Sequence, residues 1–96
     1  MANSYKNNVI RIDVVGNSAA VVTGSGRVIA VLVVGGSAVA DIKLYNALTV
    51  TGDPFFEFGD VPINASDGMA GFNADFTTGL SVALVGTAAV AYIYLD

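Results

Sequence analysis

Short apolar segments alternate with turn-forming residues along the whole chain. Segments rich in Val, Ile, Phe and Tyr recur at the regular short spacing that is typical of a β-sandwich or barrel, and no segment has the pattern of a capped helix. We predict an all-β fold, an antiparallel β-sandwich of about eight strands with jelly-roll or Greek-key connections. The predicted strands are residues 9–15, 19–23, 27–34, 39–46, 54–58, 69–76, 80–85 and 88–95.

The alternation within a strand predicts which of its faces is wet. In residues 40–44 the side chains of Asp41 and Lys43 alternate with apolar ones, so one face is solvated and the other is core. Residues 28–34 are apolar at every position and are expected to be covered on both faces. The interface candidates are Ile29, Val31 and Val33 in the predicted strand 27–34, together with Tyr92 and Tyr94 in the predicted strand 88–95. A phenol ring with an apolar body and a polar tip suits an interface.

One domain is expected, residues 9–96, preceded by a flexible N-terminal arm of residues 1–8. The arm is polar and holds almost no core-forming side chain, so burial within this domain cannot order it. It is either a frayed terminus or an arm that adds backbone hydrogen bonds to a neighbour's sheet edge. In the second case Tyr5 serves as an aromatic anchor and Lys6 as a charged contact.

A shift of 51 residues aligns residues 28–44 with residues 79–95 without gaps, and eight of the seventeen positions are identical. Both segments are interpreted as β-hairpins, with Gly35 and Gly86 in matching turns of similar dihedral angles. The alternative is that Val, Ala and Gly are so common in this chain that the matches arise from composition alone.

Composition favours an assembled protein over a free monomer. Hydrophobic residues make up 54% of the chain and charged residues 12%, against about 25% charged in average soluble domains. A small domain cannot bury so much apolar material, and the remainder is expected to line contacts with other copies, as a homo-oligomer. The longest apolar stretch is interrupted by Gly35 and Gly36, so no spanning helix and no membrane partner are predicted.

Charge and residue chemistry exclude several functions. The net charge is −4, and the only basic residues are Lys6, Arg11, Arg27 and Lys43, so no basic patch for nucleic acid is expected. The chain has no histidine and no cysteine, which removes the commonest general base, the thiolate nucleophile and the usual transition-metal ligands. We therefore predict no enzyme activity, no catalytic residues, no cofactor and no metal site.

Two sets of acidic residues are the alternatives to this prediction. Glu57 with Asp60 or Asp75 is a conceivable glycosidase-like carboxylate pair. Asp53, Asp60 and Asp67 offer oxygen ligands for Ca²⁺ but lack the loop spacing of a calcium motif, and turn-forming aspartates are favoured.

The phenylalanines are expected to fill the core at a period of two rather than form a sugar-stacking platform; these are Phe56, Phe58, Phe72 and Phe76.

Four motifs in residues 24–95 resemble those of small bacteriophage virion proteins. They are a "G-R-(apolar)" strand from Gly26, a "K-L-Y-N" strand from Lys43, an "F-x-x-G-L" turn from Phe76 and a closing "G-T-A-A-V-A-Y-I-Y" strand from Gly86. In such proteins these motifs recur in a compact β-sandwich. The segment 53–67 has no counterpart in the family pattern.

The resemblance implies a structural component of a phage particle. A head decoration or cement protein fits best: it binds the major capsid protein on the outer surface of the shell, and such proteins often assemble as trimers. The expected location is the virion, with synthesis in the host cytoplasm. A tail or fibre module that binds a host-surface glycan is the alternative.

Overall fold

The computed structural model describes the backbone of residues 4–6 and 8–96 and the side chains from residue 8 onward. Within these residues every strand pairing is antiparallel. All eight predicted strands are present, with ends that differ by no more than three residues, and a short additional strand precedes them. The strands are β1 (Ser4–Lys6), β2 (Val9–Ile12), β3 (Gly16–Thr23), β4 (Gly26–Val34), β5 (Ala40–Tyr45), β6 (Phe56–Val61), β7 (Ser66–Phe76), β8 (Gly79–Val85) and β9 (Val90–Leu95).

Eight of these strands form two four-stranded sheets packed as a sandwich. One sheet has the order β2-β9-β4-β7 and the other the order β3-β8-β5-β6, while β1 extends the first sheet beyond β2. From β2 to β9, successive strands pass from one sheet to the other except at β5–β6, and β2 and β9 pair with each other in the first sheet. This strand order is that of a jelly roll, one of the two predicted connection types. We call the sheet that contains β9 the five-stranded sheet and the other the four-stranded sheet.

The strand β1 involves part of the segment expected to be an arm. Ser4–Lys6 pairs with β2 through Ser4↔Arg11, Tyr5↔Ile10 and Lys6↔Val9. These three residues therefore add backbone hydrogen bonds to the edge of their own sheet. The side chains of Tyr5 and Lys6 and the rest of the predicted arm before Asn8 lie outside the described residues, so the flexibility of the arm stays a prediction.

The core lies between the two sheets and draws on nearly every strand. The alternation predicted for β5 is confirmed: Ala40, Ile42 and Leu44 are fully buried, and Lys43 is exposed. Isoleucines of β2 meet them from the opposite sheet, and leucines of β8 lie beside them in the same sheet, because side chains on one face of each strand recur every second residue. The largest fully buried side chains are Phe76, Ile10, Ile12, Ile42, Leu44, Leu80, Leu84, Ile93, Val28, Val31, Val33 and Val61.

A bulge in β4 reverses the phase of this strand. Val28 pairs with Leu95 and Ala30 with the adjacent Tyr94, so Ile29 is an extra residue relative to β9. Val28 and Val31 are consequently both buried, although simple alternation would place them on opposite faces. Beyond the bulge, Val31 and Val33 face the core, and the outward positions are Ala30, Leu32 and Val34.

A second irregularity lies in β7. Residues Gly71, Phe72 and Asn73 have no partner in β4, since Ala70 pairs with Ala30 and Ala74 with Val28. Gly71 has a φ of 76°, which glycine adopts without the cost that a Cβ imposes. The Phe72 ring stacks on Phe56 of the other sheet, with ring centroids 4.9 Å apart and an interplanar angle of 6°. This stack closes the sandwich between its edge strands β6 and β7.

The phenylalanines divide into core and edge positions. Phe76 is buried, whereas Phe55, Phe56, Phe58 and Phe72 are half-buried and pack against the core from outside. The prediction that they fill the core at a period of two is therefore accurate for Phe76 and too strong for the others. Phe56, Phe58 and Phe72 lie at the rim of the sandwich because β6 and β7 are edge strands, and Phe55 lies in the loop just before β6.

The two repeated segments occupy related places, but they are not hairpins. β4 and β5 lie in different sheets, and so do β8 and β9, so the hairpin interpretation was wrong. The first strand of each segment pairs with the second strand of the other, β4 with β9 and β5 with β8. Gly35 and Gly86 both follow the first strand directly, but Gly86 has a φ of 121° and Gly35 has no positive φ, so similar dihedral angles were also wrongly predicted.

Candidate interaction surface

The outward face of the five-stranded sheet carries an apolar band across its central strands. The register aligns Val9 of β2, Tyr94 of β9 and Ala30 of β4 in one row. The next row holds Arg11, Tyr92 and Leu32. All six side chains are half-buried by their neighbours within the sheet. We call these two rows, with Val34 and Val90 beyond them, the tyrosine face.

The charges on the tyrosine face are neutralised locally. The Arg11 guanidinium donates to Asp13, whose side chain is only 3% exposed. Hydrogen bonding to Tyr92 and then to Asp13 raises the pKa of Arg11 above its ordinary value. Hydrogen bonds to a charged group favour its charged form. Arg11 therefore stays cationic but is already satisfied, so the face presents little net charge to a partner.

A second cation, Arg27, lies near the start of β4 in the same sheet. Arg27 Nε donates to Asp75 Oδ1 at 2.7 Å, and Arg27 Nη1 lies 3.6 Å from Asp96 Oδ2. The pKa of Arg27 is raised chiefly by its hydrogen bond to Asp75. All three side chains are well exposed, so solvent screens the cluster and it adds little stability. It sets a polar boundary to the tyrosine face.

The outward face of the four-stranded sheet has the opposite character. Asp41 and Lys43 of β5 and Glu57 and Asp60 of β6 line a shallow depression there. Asp41 Oδ1 accepts a hydrogen bond of 2.9 Å from the Asp60 amide, at a bulge where Asp60 has a φ of 58°. The molecule thus has one charged sheet face and one nearly neutral sheet face. A neutral, aromatic face is the one that suits a buried contact.

The structure locates the five interface candidates that lie in β4 and β9. Tyr92 and Tyr94 lie on the tyrosine face, as expected. Val31 and Val33 are 1% and 0% exposed, and this corrects the prediction that they are interface residues. The bulge at Ile29 directs both side chains into the core. Ile29 itself is half-buried within the bulge. Their places on the outer face are taken by Leu32 and Val34, which sequence reasoning missed because no residue in this segment signals the bulge.

The two acidic sets do not come together in space. Glu57 and Asp60 share one depression, but Asp75 belongs to the other sheet and pairs with Arg27. The Asp67 carboxylate accepts a hydrogen bond from the following Gly68 amide. Among the described residues no three acidic side chains group in a way that could hold a metal ion.

Comparisons with known proteins add no family. Neither a protein-family model nor a curated protein matches this chain. In the part of the chain that the structure describes, no helix has the length and apolar character needed to cross a membrane. The resemblance to phage virion proteins thus stands on the four motifs alone.

Proposed function

We propose that this protein is a structural component of a bacteriophage particle, a decoration or cement protein that binds the outer head shell as an oligomer. The tyrosine face is the observation that carries the proposal. It is an apolar surface with two aromatic rings and one satisfied cation on a chain that is otherwise acidic. Aromatic residues surrounded by neutral neighbours are the usual energetic centres of protein interfaces.

The fold supports the same class of function. Eight-stranded jelly rolls occur in viral capsid proteins and also in lectins. A fold alone does not determine function, so the surface has to decide between them. A sheet face whose side chains are half-buried by their neighbours fits another protein surface better than a sugar, which ordinarily enters a concave site.

The partners follow from the two kinds of contact that such a protein makes. A decoration protein contacts the major capsid protein and further copies of itself, and we expect a trimer. It acts through buried surface, without a reaction, a cofactor or a metal. Nucleic acid and membrane are not among the proposed partners, because the net charge of −4 disfavours phosphate surfaces.

The direct test is to label purified phage particles with an antibody raised against this chain and to locate the label by electron microscopy. Regular labelling over the head supports a decoration protein, and label confined to the tail refutes it. In parallel, purified protein is added to capsids that lack it, and binding is followed by sedimentation. Saturable binding to a glycan array, with no binding to capsids, identifies the tail or fibre alternative instead.

A further inference from the structure

Four loops lie together at one end of the sandwich, next to the Val34 and Val90 end of the tyrosine face. They are residues 13–15, 35–39, 62–65 and 86–89, which connect β2 to β3, β4 to β5, β6 to β7 and β8 to β9. Backbone hydrogen bonds join three of them: Ser37 N donates to Thr87 O at 3.0 Å, and Asn64 N donates to Gly36 O at 3.0 Å. The fourth follows β2 and precedes β3, which pair with β9 and β8.

This end is the most apolar exposed part of the molecule. Among the side chains from residue 8 onward, seven large hydrophobic ones are exposed, and five of the seven lie at this end. Their exposed fractions run from 37% to 55%. We call them the apolar tip: Val14, Val15, Val39, Ile63 and Val85. The other two, Leu48 and Met69, lie elsewhere.

The tip is also almost without exposed charge. Its four loops contain a single charged residue, Asp13, whose side chain is 3% exposed and bonded to Arg11. Three further acidic residues border the tip, each one residue inside a strand that joins these loops: Asp41 and Asp60 on the four-stranded sheet and Asp67 on β7. The cluster of Arg27, Asp75 and Asp96 lies at the strand ends opposite to the tip.

Backbone contacts within the chain already order the loops of the tip. A Cβ placed on Gly35 would lie 2.2 Å from Pro62 O, and one on Gly36 would lie 2.4 Å from Thr87 O, so the three loop backbones are in close contact. Gly35 N also donates to Ala65 O at 2.7 Å. A surface that is already ordered loses little conformational entropy when it binds.

We infer that copies of this chain associate with one another through the apolar tip, around a rotation axis at this end of the molecule. Close to such an axis each side chain meets its own copies, so any exposed charge there would face an identical charge. With a net charge of −4 the chain needs a neutral contact to self-associate, and the tip provides it. This inference rests on the self-association within the proposed function and leaves the tyrosine face for the shell.

Cysteine cross-linking tests which end of the molecule meets its copy. The chain has no cysteine, so Ile63→Cys and Leu48→Cys each introduce a single thiol, at side chains of 54% and 48% exposure. A short bis-maleimide should link copies of the Ile63→Cys variant and leave the Leu48→Cys variant unlinked. Equal linking of both, or no linking of Ile63→Cys in an oligomeric sample, would overturn the inference.

Charge substitution tests the energetics of the contact. In sedimentation velocity, the double variant Val39→Asp with Ile63→Asp should raise the dissociation constant of the oligomer about a hundredfold, because unpaired charges become buried. Leu48→Asp is the matched control and should leave the constant unchanged. Val15→Asp is an independent second variant on another loop, and melting curves of all the variants identify any that fail to fold.

The outcomes separate the two proposals. A monomeric wild-type protein at high micromolar concentration contradicts self-association and the tip together. An oligomer that is unaffected by the tip substitutions contradicts only the tip. If those substitutions abolish capsid binding while the oligomer persists, the tip contacts the shell, and the assignment to a second copy is wrong.

Discussion

The Asn46 side chain holds the Thr77 turn between β7 and β8. Asn46 Oδ1 accepts hydrogen bonds from the amides of Thr77 and Thr78, at 3.0 and 2.9 Å, and Asn46 Nδ2 donates to Thr77 Oγ1 at 3.2 Å. Asn46 ends the "K-L-Y-N" motif, and Thr77 lies within the "F-x-x-G-L" motif. Two of the four motifs behind the family resemblance are therefore in contact, and their hydrogen bonds hold the turn between β7 and β8 in place.

We expect Asn46→Ala to lower the free energy of unfolding by about 1–2 kcal/mol, because two turn amides lose their protein acceptor and must turn to water. Chemical denaturation measures this change. Asn73→Ala removes an exposed asparagine from β7 and is the control, with an expected effect within about 0.5 kcal/mol. Equal effects of the two substitutions would show that the Asn46 contacts do not stabilise the turn.

The bulge in β4 predicts opposite behaviour for two adjacent residues. Val31→Ala should cost about 2 kcal/mol of stability, since it removes buried methyl groups and leaves a cavity. Leu32→Ala, on the outer face, should cost less than about 1 kcal/mol, although its side chain is larger. Thermal or chemical unfolding of both variants gives the order. A larger cost for Leu32→Ala would mean that the strand runs in regular alternation.

The close backbone contacts at Gly36 predict a strong effect of a single methyl group. Gly36→Ala should destabilise the fold by about 3 kcal/mol, because the new Cβ meets backbone atoms of Thr87 and Ala88 that cannot move aside cheaply. Gly24→Ala is the comparison: its φ of 94° is unfavourable for alanine, but no atom lies within 4 Å of the Cβ, so about 1–2 kcal/mol is expected. The difference between the two melting temperatures measures the contact.

The tyrosine face predicts a loss of binding without a loss of folding. Tyr94→Glu places a charge at the centre of this face and should weaken binding to capsids at least about tenfold, since burying an unpaired charge is costly. Ala83→Glu adds the same charge to the outward face of the four-stranded sheet, next to Lys43, and should bind normally. Capsid sedimentation with both folded variants decides the matter. Normal binding by Tyr94→Glu would exclude the tyrosine face as the shell contact.

The stability should be flat between pH 6 and pH 8. The chain has no histidine and no cysteine, and no other side chain ordinarily titrates in that interval. Asp75 raises the pKa of Arg27, and a raised pKa contributes stability that is lost only as the pH rises through it, far above this range. Melting temperatures across the interval should agree. A systematic slope would reveal a perturbed group that the structure does not account for.

The sequence by itself determined the fold class and the positions of the strands. Alternation in residues 40–44 identified the core face of β5, because side chains on a strand repeat with a period of two wherever the backbone is regular. The low charge also predicts buried contacts with other chains, and this stays a prediction. These features depend on local residue order, which a single sequence displays completely.

The tertiary structure alone decided which residues form the surfaces. Nothing in residues 28–34 marks Ile29 as the bulged position, and one extra residue exchanges Val31 and Val33 with Leu32 and Val34 between core and exterior. The repeated segments were misread as hairpins because a local pattern shows where strands lie and not which sheet they join. The sequence did not predict the apolar tip for the same reason. Its five side chains come from segments scattered between Val14 and Val85, and only the antiparallel pairing within the two sheets brings their loops to one end.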